Sequence, residues 1–139
     1  MSLTTEQVRL VTESYALIGR SPSRYSEMFY DQLLLRHPFA RALFPDDLTH
    51  QISVFEKTID TLVENVENFP SLCPALIDLA KRHATYGVKA YQYAAVGAVL
   101  IDTFAEILGP AFTAEARQAW EKVYDETAGV MISDSYPGL

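Results

Sequence analysis

The feature that most constrains this chain is the spacing of its apolar residues, which recur every three or four positions through most of the sequence. The first such stripe consists of Val8, Val11, Tyr15 and Ile18. This period places apolar side chains on one face of an α-helix, whereas a half-buried strand requires strict alternation. We find no alternating segment of useful length, so the sequence predicts an all-α fold.

Capping residues, prolines and glycines divide this pattern into successive helices. Thr4 and Gln7 form a capping box before the first stripe, the residue before Pro38 avoids helical angles, and Gly109-Pro110 is a strong stop. The polar tail from residue 133 to 139 is predicted to fray. The predicted helices span about 4–19, 21–37, 48–68, 74–86, 92–108 and 113–132.

Length and charge limit the classes of protein that this chain can belong to. Its 139 residues predict a single domain over positions 1–139, with a core over about 4–132. The formal net charge is -7, and no lysine or arginine cluster is present that would bind phosphates. We therefore expect neither nucleic acid nor an anionic membrane surface as a partner.

The cellular location is predicted from cysteine usage and from the apolar runs. Cys73 is the only cysteine in the sequence, which fits a reducing compartment. The first residues lack the basic start and apolar run of a signal peptide. No uninterrupted apolar run approaches the ~18 residues of a membrane span. The expected location is therefore the cytoplasm.

Of the three histidines, His83 is the candidate for chemistry. It shares the apolar face of its helix with Leu76 and Leu79, whereas His37 and His50 lie at helix ends. From spacing alone, a core histidine bonded to a backbone carbonyl is the favoured interpretation, and a metal ligand is the alternative. Paired-histidine, CxxC and acidic calcium-loop motifs are absent, so we assign no protein-built metal site and no catalytic residue.

Tyr30 is the second unusual residue, because it follows Phe29 on a helix whose inner face is otherwise apolar. A phenol that points inward needs a hydrogen-bond partner. The Tyr30 hydroxyl can reach solvent, donate to a backbone carbonyl or take part in a functional site. Its position in the sequence alone favours contact with solvent or with a backbone carbonyl.

Several ordered blocks of the sequence resemble bacterial haemoglobins. The pairs Phe29-Tyr30, His37-Pro38 and Leu43-Phe44 resemble the FY, HP and LF of that family. Further similar blocks are NVENFP at 65–70, the segment 82–97 around His83, and AWEKVY at 119–124. Over about residues 4–133, the chain is similar to single-domain bacterial haemoglobins and to the haem domain of flavohaemoglobins.

The resemblance implies a globin fold, with helices crossing at roughly 50° around a haem b group. It implies that His83 is the proximal iron ligand and that Tyr30, Gln51 and Phe55 lie on the distal side. The residues that it implies around the haem are Phe44, Leu79, Val88, Tyr93 and Val96, together with Arg82 near a propionate.

The chain departs from the family pattern at two positions. Phe55 is bulkier than the leucine that is usual there, and the usual glutamate of the last helix falls at Ser135, beside Asp134. Glu126 lies two to three turns too early to replace it. A register shift of one residue in the third helix would place His50 over the iron instead of Gln51; the apolar stripe favours Gln51.

By this resemblance, we expect a protein that binds dioxygen reversibly at ferrous iron, for storage, transport or delivery. The first alternative is an enzyme that catalyses nitric oxide dioxygenation with a separate reductase. The second alternative is a haem-based gas sensor. The expected ligands are dioxygen, carbon monoxide and nitric oxide. The expected assembly is a monomer or a homodimer.

Overall fold

The computed structural model describes residues 3–22, 24–85 and 87–135, without the side chains at 84, 85 and 133–135. Within these residues the regular structure is entirely helical, which confirms the predicted fold class. The α-helices are α1 Thr5–Arg20, α2 Tyr25–Arg36, α3 Thr49–Glu64, α4 Cys73–Thr85, α5 Gln92–Leu108 and α6 Ala114–Ser135. Short 3-10 segments occupy Pro38–Leu43, Val66–Leu72 and Gly109–Ala111.

Capping residues at the starts of α1 and α6 form the hydrogen bonds that such positions need. The Thr4 side chain accepts from the Gln7 backbone, and the Gln7 side chain accepts from the Thr4 backbone, which completes the capping box of α1. At the start of α6, the Ala116 backbone N–H donates to the Thr113 hydroxyl at 3.1 Å. Each bond satisfies a backbone group that has no partner within its helix.

The core lies where α5 and α6 meet the N-terminal helices. Phe104 and Trp120 are almost fully buried, and their ring centroids lie 4.7 Å apart. The Trp120 indole N–H donates to the Ser14 hydroxyl at 2.8 Å, so α6 is tied to α1 by a buried hydrogen bond as well as by apolar packing. This core fixes α5, against which α2 also packs.

The third helix ends earlier than the sequence pattern predicts. The prediction extended it to residue 68, but α3 stops at Glu64 and a 3-10 segment follows. Asn68 leaves helical geometry there, with φ of -123° and ψ of 57°. Val66 is nevertheless buried, so the apolar stripe continues after the α-helix has ended. Periodicity alone therefore could not locate this boundary.

The end of the chain differs in part from the prediction. The backbone of α6 is helical through Ser135, so residues 133–135 belong to the helix rather than to a frayed tail. The prediction that residues 136–139 fray concerns positions outside the described residues. Among those described, one helical stretch, Gln92–Ala111, is long and apolar enough to cross a membrane, a test that core helices of soluble proteins also pass.

Candidate functional site

Tyr30 and Gln51 form a hydrogen-bonded pair between α2 and α3. The Gln51 side-chain amide donates to the Tyr30 hydroxyl oxygen at 3.1 Å. Tyr30 is only 2% exposed, and burial raises its pKa to about 12, an effect that the bond from Gln51 partly opposes. Because the phenolic oxygen accepts this bond, its hydrogen remains available to a further acceptor.

An aromatic wall surrounds this pair. The ring of Phe55 stacks on Phe29, with centroids 4.5 Å apart and planes 10° apart. The same Phe55 ring meets Tyr30 edge to face at 5.6 Å, and Phe44 meets Tyr30 from another side at 5.4 Å. Three segments of the chain therefore hold the phenol in an apolar setting, where its hydrogen bonds are strong.

The orientation of α3 separates the two registers considered from the sequence. Gln51 and Phe55 are half-buried and contact Tyr30, whereas His50 and Val54 are exposed. The four positions belong to one helix, so the contact of Gln51 with Tyr30 turns His50 outward. The structure thus brings together four predicted residues on one side, namely Tyr30, Phe44, Gln51 and Phe55.

The second cluster is centred on His83 of α4. Its Nδ1 lies 2.8 Å from the backbone carbonyl oxygen of Leu79, one turn earlier. A carbonyl only accepts, so Nδ1 carries the hydrogen and the neutral ring keeps a lone pair on Nε2. Burial lowers the pKa of His83, which favours this neutral form; the Leu79 bond opposes the shift and Arg82 adds to it.

Tyr93 and Tyr124 support the imidazole from α5 and α6. The Tyr93 ring stacks beside His83, with centroids 6.1 Å apart and planes 27° apart. The Tyr124 hydroxyl donates to the Tyr93 backbone carbonyl at 2.5 Å. The Tyr124 ring lies directly over Gly97, and a Cβ at position 97 would overlap it. A side chain larger than hydrogen therefore does not fit at position 97 without moving Tyr124.

The remaining residues predicted near a haem lie in different settings. Leu79, Val88 and Val96 are half-buried and pack against the core, as lining residues must. Arg82 is exposed and forms an ion pair with Asp78 at 3.3 Å, one turn earlier on the same helix. Its proposed contact with a propionate would compete with this pair.

Among the described side chains, none replaces the usual glutamate of the last helix. The side chains of Asp134 and Ser135 lie outside the described residues. Glu126 has both carboxyl oxygens buried, and among the described residues neither has a hydrogen-bond partner. The described hydrogen bonds do not join Glu126 to His83.

The donor set fits a haem better than a bare metal ion. Among the described residues, no group of three or more histidine, cysteine, aspartate or glutamate side chains could hold a metal. A haem supplies four nitrogen ligands itself and needs a single axial side chain from the protein. His83, with its lone pair on Nε2 and its other nitrogen tied to a carbonyl, matches that need.

A family model supplies the deciding comparison, since the globin model matches residues 27–131. The chain belongs to the globin family. One similar solved structure is that of an engineered carbene transferase from Rhodothermus marinus. Its parent protein has the provisional name nitric oxide dioxygenase, and the two structures superpose with a TM-score of 0.84. It is 27% identical, and the match covers 96% of this chain and 94% of the other. The predicted globin fold is confirmed.

The curated relatives of this globin are longer proteins. The flavohemoprotein of Rhizobium meliloti (strain 1021) is 30% identical over 134 residues, which are 93% of this chain and 33% of the relative. The flavohemoprotein of Vibrio cholerae serotype O1 is 25% identical over 136 residues, which are 94% of this chain and 34% of the relative. The chain spans about a third of their length, and the likeness implies a haem cofactor.

Sequence reasoning missed the contact between Tyr124 and Gly97. The apolar pattern of the last helix places Tyr124 on its inner face, beside Trp120 and Val123, but gives it no role at the site. One signal was present, because Gly97 is a very small residue within an apolar stripe that otherwise contains Tyr93, Val96 and Leu100. A glycine at such a position indicates the close approach of another side chain.

Proposed function

We propose that this globin binds haem b through His83 and binds dioxygen reversibly, with Tyr30 and Gln51 as the distal hydrogen-bonding pair. The observation that carries the proposal is the bond from Gln51 to Tyr30, because it leaves a buried phenolic hydrogen available for a ligand. Phe44 and Phe55 keep that position apolar. The remaining proposed contacts are Leu79, Val88, Tyr93, Val96 and Arg82.

Haem would supply the ferrous centre to which a diatomic ligand such as dioxygen, carbon monoxide or nitric oxide binds. The proposed role of His83 is to hold its Nε2 atom in a fixed orientation toward the iron. The Leu79 carbonyl holds Nδ1, and the ring of Tyr93 limits rotation of the imidazole. Both contacts come from ordered helices, so the ligand atom is positioned before haem binds.

Tyr30 and Gln51 make the distal side selective for a polar ligand. A dioxygen held there would carry partial negative charge on its outer atom, whereas a carbon monoxide would carry much less. A phenolic hydrogen aimed at that atom stabilises the charge, and the bond from Gln51 polarises the phenol further. We therefore expect tight, slowly released dioxygen.

The second candidate function is nitric oxide dioxygenation with a separate reductase as partner. The relatives named flavohemoprotein support it, together with the provisional name of the parent of the Rhodothermus marinus protein. We further propose a cytoplasmic location, because the free Cys73 suits a reducing compartment, and a monomer or homodimer.

A single assay separates a carrier from a dioxygenase. The purified protein, first shown to have an intense Soret band that shifts with carbon monoxide, is supplied with dioxygen, repeated additions of nitric oxide and a chemical reductant. A carrier oxidises one equivalent of nitric oxide per haem in a burst and then continues only as slowly as the chemical reductant by itself reduces ferric haem. Sustained consumption at a rate close to that of the burst, with nitrate formed in step with reductant, would replace the carrier proposal by the enzymatic one. A protein without the Soret band would contradict both.

A further inference from the structure

A cavity lies between the corner that joins α1 to α2 and the middle of α3. Its volume is about 190 Å³. The lining residues are Tyr15, Ile18, Gly19, Ser21, Arg24, Tyr25, Glu56 and Asp60. The residues proposed around the haem do not belong to this lining. The cavity is therefore a separate feature of the molecule, and what it binds does not depend on the proposed function.

Two tyrosine hydroxyls at the cavity have both of their hydrogens committed. The Tyr15 hydroxyl donates to a carboxylate oxygen of Asp60 at 2.5 Å. The Tyr25 oxygen lies 3.0 Å from the Tyr15 oxygen, and Tyr25 is the donor there because Tyr15 has given its single hydrogen to Asp60. Burial is the main cause that raises the pKa of both phenols above the ordinary value, so both keep their hydrogens. Tyr25 therefore still offers an oxygen that can accept, but no hydrogen.

Asp60 is a carboxylate that makes no ion pair with the described residues. The bond from Tyr15 holds one of its oxygens, and the other oxygen can accept further hydrogen bonds. Because this bond orients the carboxylate before a ligand arrives, binding costs less side-chain entropy.

Arg24, the cation of the lining, already has its own anionic partners. Its guanidinium bonds to Glu56 and, at 2.7 Å, to Glu27. With Asp60, three carboxylates therefore lie around one guanidinium, and the whole chain has a net charge of -7. An anion is repelled from such a cavity, whereas a cation is attracted.

The apolar part of the lining limits the size of a ligand. Ile18 and Tyr25 are buried, and the Tyr15 and Tyr25 rings pack against each other with centroids 5.9 Å apart. In another protein, a cavity of about 150 Å³ holds benzene, so this one has room for about seven heavy atoms. Tyrosine rings also attract a cation that lies over their faces.

We propose that this cavity binds a small primary amine in its ammonium form, with the charged nitrogen at Asp60 and a short alkyl group against the tyrosine rings. An ammonium donates three hydrogen bonds and accepts none, so it complements oxygens that only accept. Its partners are the second oxygen of Asp60, the Tyr25 oxygen and the carboxylate of Glu56.

The same inventory predicts an order of affinity among ligands of equal size. A neutral alcohol fits the apolar wall but gives one hydrogen and no charge. A carboxylate brings the wrong sign and cannot donate when it is ionised. The cavity should therefore prefer the ammonium to the alcohol, and the alcohol to the carboxylate.

The test titrates the purified, 15N-labelled protein at pH 7 with n-butylamine and follows its amide signals by NMR. The ferrous carbon monoxide form is used, because carbon monoxide keeps the amine from the iron; a chain without haem is titrated as it is. We expect saturable shifts at the lining residues, with half-saturation at roughly 1–10 mM. 1-Butanol and butyrate are titrated in the same way, and we expect both to bind more weakly.

Two variants measure the hydrogen bonds, and a third is the matched control. Asp60→Asn keeps the size of the side chain but removes its charge, so it should weaken binding of butylamine by roughly tenfold or more. Tyr25→Phe keeps the ring but removes the accepting oxygen, and a loss of roughly two- to tenfold is expected. Asp31→Asn changes the net charge equally at an exposed position outside the lining, and affinity should not change.

Three results overturn the proposal. Butylamine that causes no saturable shifts at the lining shows that the cavity does not bind it. Equal affinity for 1-butanol shows that the charge is not recognised. Equal weakening in Asp60→Asn and Asp31→Asn shows attraction to the acidic surface in general. Shifts confined to the lining, with weaker binding in Asp60→Asn alone of these two, support the site.

Discussion

The two sides of the candidate haem site are built in different ways. On the distal side, Tyr30 is positioned by other side chains, namely Gln51, Phe44 and Phe55. On the proximal side, the hydrogen bonds end on backbone carbonyls, from His83 to Leu79 and from Tyr124 to Tyr93. The difference suggests that ligand chemistry is set by the choice of distal side chains, whereas the position of the iron ligand is set by the helices themselves.

The largest expected effect comes from removing the proximal ligand. We expect His83→Ala to lose tight haem binding, because the other side chains proposed around a haem supply no imidazole nitrogen to the iron. The measurement is the ferrous carbon monoxide spectrum after haem is added to the purified protein. The control is His50→Ala, which removes an exposed histidine. A normal spectrum in His83→Ala would end the assignment of the ligand.

The next effect tests whether distal chemistry depends on one side chain. A hydrogen bond to a charged or strongly polarised group contributes about 1.5–3 kcal/mol. Since about 1.4 kcal/mol corresponds to a tenfold change, Tyr30→Phe should speed dioxygen dissociation by roughly ten- to a hundredfold. Stopped-flow displacement by carbon monoxide measures this rate, with Tyr91→Phe as the control. An unchanged rate would remove Tyr30 from the distal pair.

The smallest effect tests the packing behind the proximal side. In Gly97→Ala the new methyl group overlaps the Tyr124 ring, and such overpacking costs about 1–3 kcal/mol of unfolding free energy. Gly129→Ala is the matched control, because a Cβ there has nothing within 4 Å, and alanine in a helix is favoured by about 0.5–1 kcal/mol. Urea unfolding compares the two variants. Equal stability would show that Tyr124 moves aside freely.

The helices could be predicted from the sequence because their signals are local. The stripe of α1 and its Thr4 cap are visible within a few residues, and both are present in the structure. The end of α3 could not be predicted, because Val66 is buried whether the backbone there is α-helical or 3-10. Pro70 indicates a break nearby but does not fix its position.

The site depended on pairings between distant residues. The resemblance placed Tyr30 and Gln51 together on the distal side, and the apolar stripe favoured Gln51 over His50, but neither established a contact between them. Their hydrogen bond requires α2 and α3 to be packed together, which no local pattern encodes. The stacking of Phe29 on Phe55 and the approach of Tyr124 to Gly97 are of the same kind. Packing between helices decides these contacts.

The bond from His83 to the Leu79 carbonyl has a consequence for how this protein tolerates change. Every amino acid carries a backbone carbonyl, so any residue that preserves the helix at position 79 still supplies the acceptor. Random substitution there can alter packing around the site without erasing the orientation of the imidazole. Lineages descended from this chain could therefore vary the surroundings of the iron ligand widely while inheriting its geometry unchanged.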